Sequence, residues 1–293
     1  MCRGWTVNYL DLFSGIGGFA AGAYWAGWRF DNHYYSEVDD YAIRVYQQRF
    51  PEAVNLGDVT LIADTERLGW EERAGEGIQS EEQITKRQDS RNLCKKGDWI
   101  ISGGFPCQDI SCAGKGVGLS GSRSGLWFAM RDVIRLLRPR YCIIENVGAI
   151  TSRGLDVVLG NLAEIGYDAE WQDIRASDVG APHRRERIWI VAYPNNATTA
   201  RQREDSGKIH TKSKSERFNI CSGARLRKRE QGNGRFCNWS VEPDVGRVAH
   251  GIPKRVDRLK GLGNSIVPQI AELLFRKIAE VESCTKPDGM LSP

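Results

Sequence analysis

The apolar and polar positions alternate in blocks that read as strands and helices taken in turn. Val7 to Phe13 predicts a buried strand, followed by a glycine turn and a helix from about Phe19. His33 to Glu37 predicts a second strand and Asp39 to Phe50 a helix, and a short third strand is expected to end near Asp58. Residues 64–96 are polar and charge-mixed and read as an insertion or long loop. Trp99 to Ser102 is the fourth predicted strand. Leu126, Trp127, Met130, Val133, Ile134 and Leu137 recur at helical spacing, so Ser124 to Leu137 is expected to be a helix. Tyr141 to Glu145 is the fifth strand, Leu155 to Ile165 a helix with Gly166 as its stop signal, and Tyr167 to Ile174 and Arg187 to Tyr193 two further strands. Strands alternating with helices predict a mostly parallel sheet covered on both faces.

Beyond Tyr193 the pattern changes. Asn195 to Trp239 has few apolar residues and many charges, Gly and Ser. Ile266, Val267, Ile270, Leu273, Leu274 and Ile278 then define a last amphipathic helix, expected to pack back on the first block. The expected organisation is a large unit of residues 1–194 and 262–293, with a small basic unit of residues 195–261.

Composition narrows the class. With 41% hydrophobic and 27% charged residues over 293 positions, the chain matches an ordinary globular mix, which excludes a disordered chain, a collagen and a coiled coil. The longest uncharged stretch, Leu12 to Trp28, is 17 residues long and rich in glycine. It falls short of a membrane helix and lacks the leading charges of a signal peptide, so a soluble, intracellular protein is expected. The eight cysteines are scattered with no CxxC pair, which argues for reduced thiols and against a structural zinc site. Charge is uneven: between Arg201 and Arg235 eleven basic residues face four acidic ones, a segment of +7 in a chain of net +4. Such a block fits a nucleic-acid contact, or alternatively a solvated loop.

Three loops at strand ends carry candidate chemistry. The turn Asp11-Leu-Phe-Ser-Gly15-Ile-Gly17-Gly18-Phe19 leads from strand to helix and lets backbone approach a nucleotide-type ligand, and Glu37 stands where an acid usually takes ribose hydroxyls. Gly103-Gly104-Phe105-Pro106-Cys107-Gln108 puts a cysteine on a strand-end loop, where it can act as a nucleophile. A Gly- and Ser-rich stretch from Gly114 to Gly125 follows, with the composition of a mobile lid. Glu145-Asn146-Val147, directly after the fifth predicted strand, adds an acid facing the same crevice. Each alone has a plainer reading: a structural turn, an inert thiol, a helix cap.

Together, and in this order, the blocks DLFSGIGGF, Glu37, Asp58, GGFPCQ, ENV, HRRERIWIVA (His183 to Ala192) and GNSIVP (Gly263 to Pro268) resemble the DNA (cytosine-5) methyltransferases of restriction systems and phages. The resemblance implies an α/β, Rossmann-like S-adenosylmethionine-dependent methyltransferase sheet with a small target-recognition domain. It implies that Phe13, Gly15 and Gly17 line the donor pocket, that Glu37 holds the ribose and Asp58 the adenine amino group, and that Asn264 and Ser265 complete the pocket. Cys107 is the implied nucleophile, Glu145 the ligand of the cytosine edge, and Arg185 and Arg187 the paired arginines that support both. His183 stands where the family usually has Gln. Lys115 and Arg123 in the lid, and Arg225, Arg227, Lys228 and Arg229 in the basic segment, are the expected DNA contacts. The implied partner is double-stranded DNA, with or without a cognate restriction endonuclease, for a monomeric protein in the cytoplasm at the nucleoid, and no metal is expected. A tRNA cytosine-5 methyltransferase, a catalytically silent DNA-binding protein and a nucleotide-binding oxidoreductase remain the alternatives, the last disfavoured by the missing GxGxxG.

Overall fold

A computed structural model describes residues 7–62, 98–106, 125–195 and 261–285. Seven strands form one sheet: β1 (Asn8–Leu12), β2 (Asn32–Ser36), β3 (Val54–Asn55), β4 (Trp99–Gly103), β5 (Tyr141–Val147), β6 (Tyr167–Arg175) and β7 (Glu186–Pro194), in spatial order β3-β2-β1-β4-β5-β7-β6. All neighbours are parallel except β7, which runs antiparallel between β5 and β6. β4 is buried at every position and β5 at all but the last, as strands covered on both faces must be. The helices are α1 (Gly18–Trp25), α2 (Asp40–Arg49), α3 (Gly125–Leu137), α4 (Leu155–Glu164) and α5 (Pro268–Thr285).

Two apolar cores lie on opposite faces of the sheet. One joins Tyr9, Ile143 and Trp189 to Phe19 and Ala23 of α1, Tyr46 of α2, and Leu274, Phe275 and Ile278 of α5. The other joins Leu10, Ile101 and Ile144 to Trp127, Met130 and Ile134 of α3 and to Val158 and Leu162 of α4. The polar insertion anticipated at residues 64–96, the lid and the basic segment lie outside the described residues.

The strand order reverses between β1 and β4, which are parallel neighbours, and such a switch point makes a crevice at the carboxyl ends of the strands. Most predicted elements appear within a residue or two of their expected ends; the third strand is the larger miss, ending at Asn55 where Asp58 was expected, and the end of β5 is the informative one. β5 was expected to stop at Glu145, but it continues through Val147, because β7 pairs with it there, Asn146 opposite Ile188 and Val147 opposite Arg187. Glu145 and Asn146 are therefore strand residues with fixed directions and do not sit on a loop.

The last helix returns as expected. Pro268 occupies its first position, where its fixed φ suits a helix start and no N–H is missed. The Trp28 indole N–H donates to the Phe275 carbonyl at 3.0 Å, and the Tyr141 hydroxyl donates to Glu282 at 2.8 Å. α1 and α5 meet at Gly22, where an added Cβ would lie 2.6 Å from Ala271 Cβ and 2.7 Å from Pro268 O. Gly22→Ala is accordingly expected to cost about 1–3 kcal/mol by overpacking, read as a lowered midpoint in calorimetry. An unchanged midpoint would mean that the two helices do not approach this closely.

Candidate active site

β1 ends in a turn whose backbone is unusual at successive points. Phe13, Gly15 and Gly17 all have positive φ, at 52°, 53° and 84°. Such a conformation is costly for phenylalanine and marks a constrained position. Gly17, the N-terminal flank of α1, has no room for a side chain: an added Cβ would meet the Phe50 ring at 2.9 Å and the Tyr46 ring at 3.1 Å. Gly15 faces open space, and its N–H donates to Glu37 Oε2 at 2.8 Å. The other Glu37 oxygen accepts from the N–H groups of Val38 and Asp39, at 2.8 and 2.9 Å. Glu37 thus ties the turn after β1 to the start of α2, which Asp39 caps by accepting from Tyr41 and Ala42. Ser14 Oγ is buried in the same turn with no partner among the described residues.

The remaining residues expected around this turn are Asp58, Asn264 and Ser265. Asp58 is exposed and accepts from the Thr60 N–H and hydroxyl at 2.9 and 2.8 Å, which fixes one of its oxygens. Asn264 is exposed and Ser265 half-buried, in the segment that leads into α5. That segment abuts the turn after β1: an added Cβ on Gly18 would meet Ile266 at 2.6 Å, and one on Gly261 would meet Ile16 at 3.4 Å.

A second group forms where β4 and β5 end. Glu145 is 9% exposed and pairs with Arg187, Nε to Oε1 at 3.0 Å. Register explains the pair: Glu145 faces Trp189 across the ladder, and Arg187, two residues on, is its diagonal neighbour on the same face. Burial pushes the Glu145 carboxyl up from its ordinary 4.5 to about 7, against the charges of Arg187 and then Arg185, which hold it down. A carboxyl near neutrality can both donate and accept a proton at working pH. Because the folded-state value is raised, stability is expected to fall as pH rises from 4.5 to about 7, the window in which the unfolded chain has given up this proton and the folded one has not.

Gly104 leaves space for Glu145, since an added Cβ would stand 3.0 Å from Oε2. Asn146 is buried and donates through Nδ2 to the Phe105 carbonyl at 2.9 Å, while its oxygen accepts from the Val147 N–H. The loop that leads to Cys107 is therefore pinned to β5 two residues before the cysteine. Cys107 itself lies outside the described residues, as do Lys115, Arg123, Arg225, Arg227, Lys228 and Arg229.

Arg185 has a φ of 28° and donates to the carbonyls of Gly263, at 2.8 Å, and Ser265. Burial, then the Arg187 charge, lowers its pKa. Its guanidinium bridges the residues before α5 to the Glu145 neighbourhood. Sequence reasoning expected Arg185 beside the nucleophile and base, and this bracing contact went unread. Gly104, Asn146 and the buried Asp11 were also quoted without any such role. For Asp11 a signal existed: a charged residue inside a buried strand is rare unless its partners are close.

A family model described as C-5 cytosine-specific DNA methylase matches residues 7–238. The chain belongs to the C-5 cytosine-specific DNA methylase family. Among its relatives, Type II methyltransferase M.NgoBI of Neisseria gonorrhoeae is 31% identical over 191 residues, covering 64% of this chain and 50% of that protein. M1.ScrFI of Lactococcus lactis subsp. cremoris is 30% identical over 194 residues, covering 64% and 42%. M.HhaI of Haemophilus parahaemolyticus is 29% identical over 194 residues, covering 65% and 50%. The chain spans about half the length of the curated relatives it matches. The α/β sheet with helices on both faces is the scaffold expected of this methylase family, and no helix among its described residues is long and apolar enough to cross a membrane.

Removing the Arg187 charge should move the Glu145 titration upward, because that charge favours the carboxylate. The check is carboxyl 13C NMR on Arg187→Leu, with Glu145→Gln assigning the signal. A midpoint that stays put or falls would show that the pair does not control this carboxyl.

Proposed function

We propose that the protein is a DNA (cytosine-5) methyltransferase that takes its methyl group from S-adenosylmethionine and modifies cytosine within a short DNA sequence. The observation that carries the reading is the near-neutral Glu145 beside Arg187, held on the strand next to the one that leads to Cys107.

The residues of the β1 turn fit the donor. An orphaned Ser14 hydroxyl, the open face at Gly15 and the Glu37 carboxylate between two backbone anchors give polar groups and space in one place. Glu37 would accept from ribose hydroxyls and Asp58 from the adenine amino group, with Phe13, Gly15, Gly17, Asn264 and Ser265 around them. When bound, the donor supplies an electrophilic methyl group.

Cytosine C5 is a poor nucleophile, and the chain's own residues would change that. The Cys107 thiolate adds to C6 while protonated Glu145 gives its proton, or a strong hydrogen bond, to N3. The ring loses aromaticity and C5 becomes enamine-like. After methylation, C5 gives up its hydrogen as a proton to water, N3 returns its proton to Glu145 and Cys107 leaves as thiolate, which restores the ring and the starting protonation of the site. A free thiol is only a few per cent thiolate near neutral pH, and Arg187 close to the loop would raise that fraction. A stacked base is out of reach, so the cytosine is flipped out at a cost of a few kcal/mol, which closure of the Gly114–Gly125 stretch would help offset.

Residues 1–194 with 262–293 would act as the catalytic unit, and 195–261 as the recognition unit. Lys115, Arg123, Arg225, Arg227, Lys228 and Arg229 would contact phosphates, since a basic block supplies affinity before it supplies sequence. The setting is the cytoplasm, with a monomer acting beside a restriction endonuclease or protecting phage DNA.

Bisulfite sequencing of DNA from cells without other cytosine methylation tests the reading. Expression of the protein should leave conversion-resistant cytosines in one repeated short context, and Cys107→Ser should abolish them. Resistance that persists in Cys107→Ser, or none with folded wild-type protein, would contradict it.

A further inference from the structure

Asp11 has no accessible surface, yet it lies one residue before the end of β1 and is hydrogen-bonded to three other elements. Ser102 of β4 donates to Oδ1 at 2.7 Å, Tyr46 of α2 donates to Oδ2 at 3.2 Å, and the Ala20 N–H from the first turn of α1 also reaches the carboxyl. Two chains of bonds extend from these contacts. Tyr9 Oη lies 2.6 Å from Ser102 Oγ. On the other side, Tyr46 Oη is 2.8 Å from His33 Nε2, and His33 Nδ1 is 3.3 Å from Tyr24 Oη. Glu37, just past the end of β2, adds a like charge, and among the described residues no lysine or arginine acts on Asp11.

The Tyr24-His33-Tyr46-Asp11 chain keeps all its bonds in either of two polarities. With Asp11 ionised, Tyr46 donates to Asp11, His33 Nε2–H donates to Tyr46, and Tyr24 donates to His33 Nδ1. With a proton on Oδ2, each bond reverses and the His33 proton moves to Nδ1. Hydroxyls and imidazole are each donor and acceptor, so neither state leaves a buried group unpaired. Burial pushes Asp11 up to about 8 and His33 down to about 4, so His33 stays neutral and only its tautomer changes. Asp11 precedes the Phe13–Gly17 turn by two residues, and Ser102 is the next-to-last residue of β4.

We propose that Asp11 is a positioning residue that locks the donor-binding turn to the strand leading to Cys107, and that its protonation is relayed to the tautomer of His33. The donor's identity here rests on the methyltransferase reading, whereas the relay does not.

The test combines 15N NMR of the histidine rings with calorimetric titration of S-adenosylmethionine into the full chain, from about pH 6 to about pH 9, across the expected titration. In the wild type, His33 is expected to pass from Nδ1–H at low pH to Nε2–H at high pH with one midpoint. Asp11→Asn, whose amide donates to Tyr46, should hold His33 as Nδ1–H throughout and keep donor affinity. Asp11→Ala should weaken donor binding about tenfold, the scale of one lost buried hydrogen bond to an acid. Tyr46→Phe, which cuts the chain while leaving the Ser102 contact, should make His33 independent of pH. A constant wild-type tautomer, or an Asp11→Asn profile like that of the wild type, overturns the relay. Donor affinity unchanged in Asp11→Ala overturns the positioning role. Folded wild-type protein that binds no S-adenosylmethionine overturns the methyltransferase reading, and the positioning role with it, even if His33 responds as expected.

Discussion

A carboxyl group removed from water must find its hydrogen-bond donors inside the protein or keep its proton. Among the described residues, two such groups are buried at the carboxyl edge of the sheet, Asp11 on β1 and Glu145 on β5. They are solvated in different ways. Asp11 is surrounded by neutral donors from β4, α2 and α1, whereas Glu145 has a guanidinium at 3.0 Å. Both are held near neutrality, Asp11 at about 8 and Glu145 at about 7. The first fastens strands and helices together beneath the turn after β1. The second pairs with Arg187 near the end of β5 and is the group to which the proposed function gives a chemical role.

The scaffold makes this arrangement rigid. Parallel strands β1, β4 and β5 deliver their ends to one edge, and the antiparallel β7 brings Arg187 back to Glu145 from the opposite direction. A strand parallel to β5 at that place would reach the edge with its own terminus and would not return from a loop. Asn146 then ties β5 to the loop after β4, and Arg185 ties the start of β7 to the residues that precede α5. Two arginines two positions apart thus have separate tasks, one on the carboxylate and the other on backbone carbonyls. The close approach at Gly22 seats α5, which carries Ser265 and its neighbours to the turn after β1.

Much of this was legible in the sequence, for physical reasons. Buried parallel strands are short apolar runs and their covering helices are amphipathic, so Val7–Phe13, Trp99–Ser102 and Ser124–Leu137 stand out by composition alone. The candidate site loops were legible as ordered motifs at strand ends. Tertiary pairing was not. Nothing in Glu145-Asn146-Val147 announces that β7 extends β5 through all three residues, and the strand order that inserts β7 before β6 has no local signal. The space Gly104 leaves for Glu145 depends on how two strands align. The convergence on Asp11 needs the register of β1 with β4 and the approach of α2, although an aspartate within Tyr-Leu-Asp-Leu-Phe was itself a sign that something satisfies it.

In the proposed reaction Cys107 bonds to cytosine C6 while Glu145 serves the opposite side of the same ring. DNA in which cytosine is replaced by 5-fluorocytosine tests it directly, because fluorine at C5 does not leave as a proton and the cysteine–C6 bond then persists after methylation. With S-adenosylmethionine present, a protein–DNA adduct that survives denaturation is expected, with the mass of the modified base on the peptide containing Cys107, and a much lower yield from Glu145→Gln. A folded protein that binds this DNA and the donor but forms no adduct, or forms one at another residue, would contradict it.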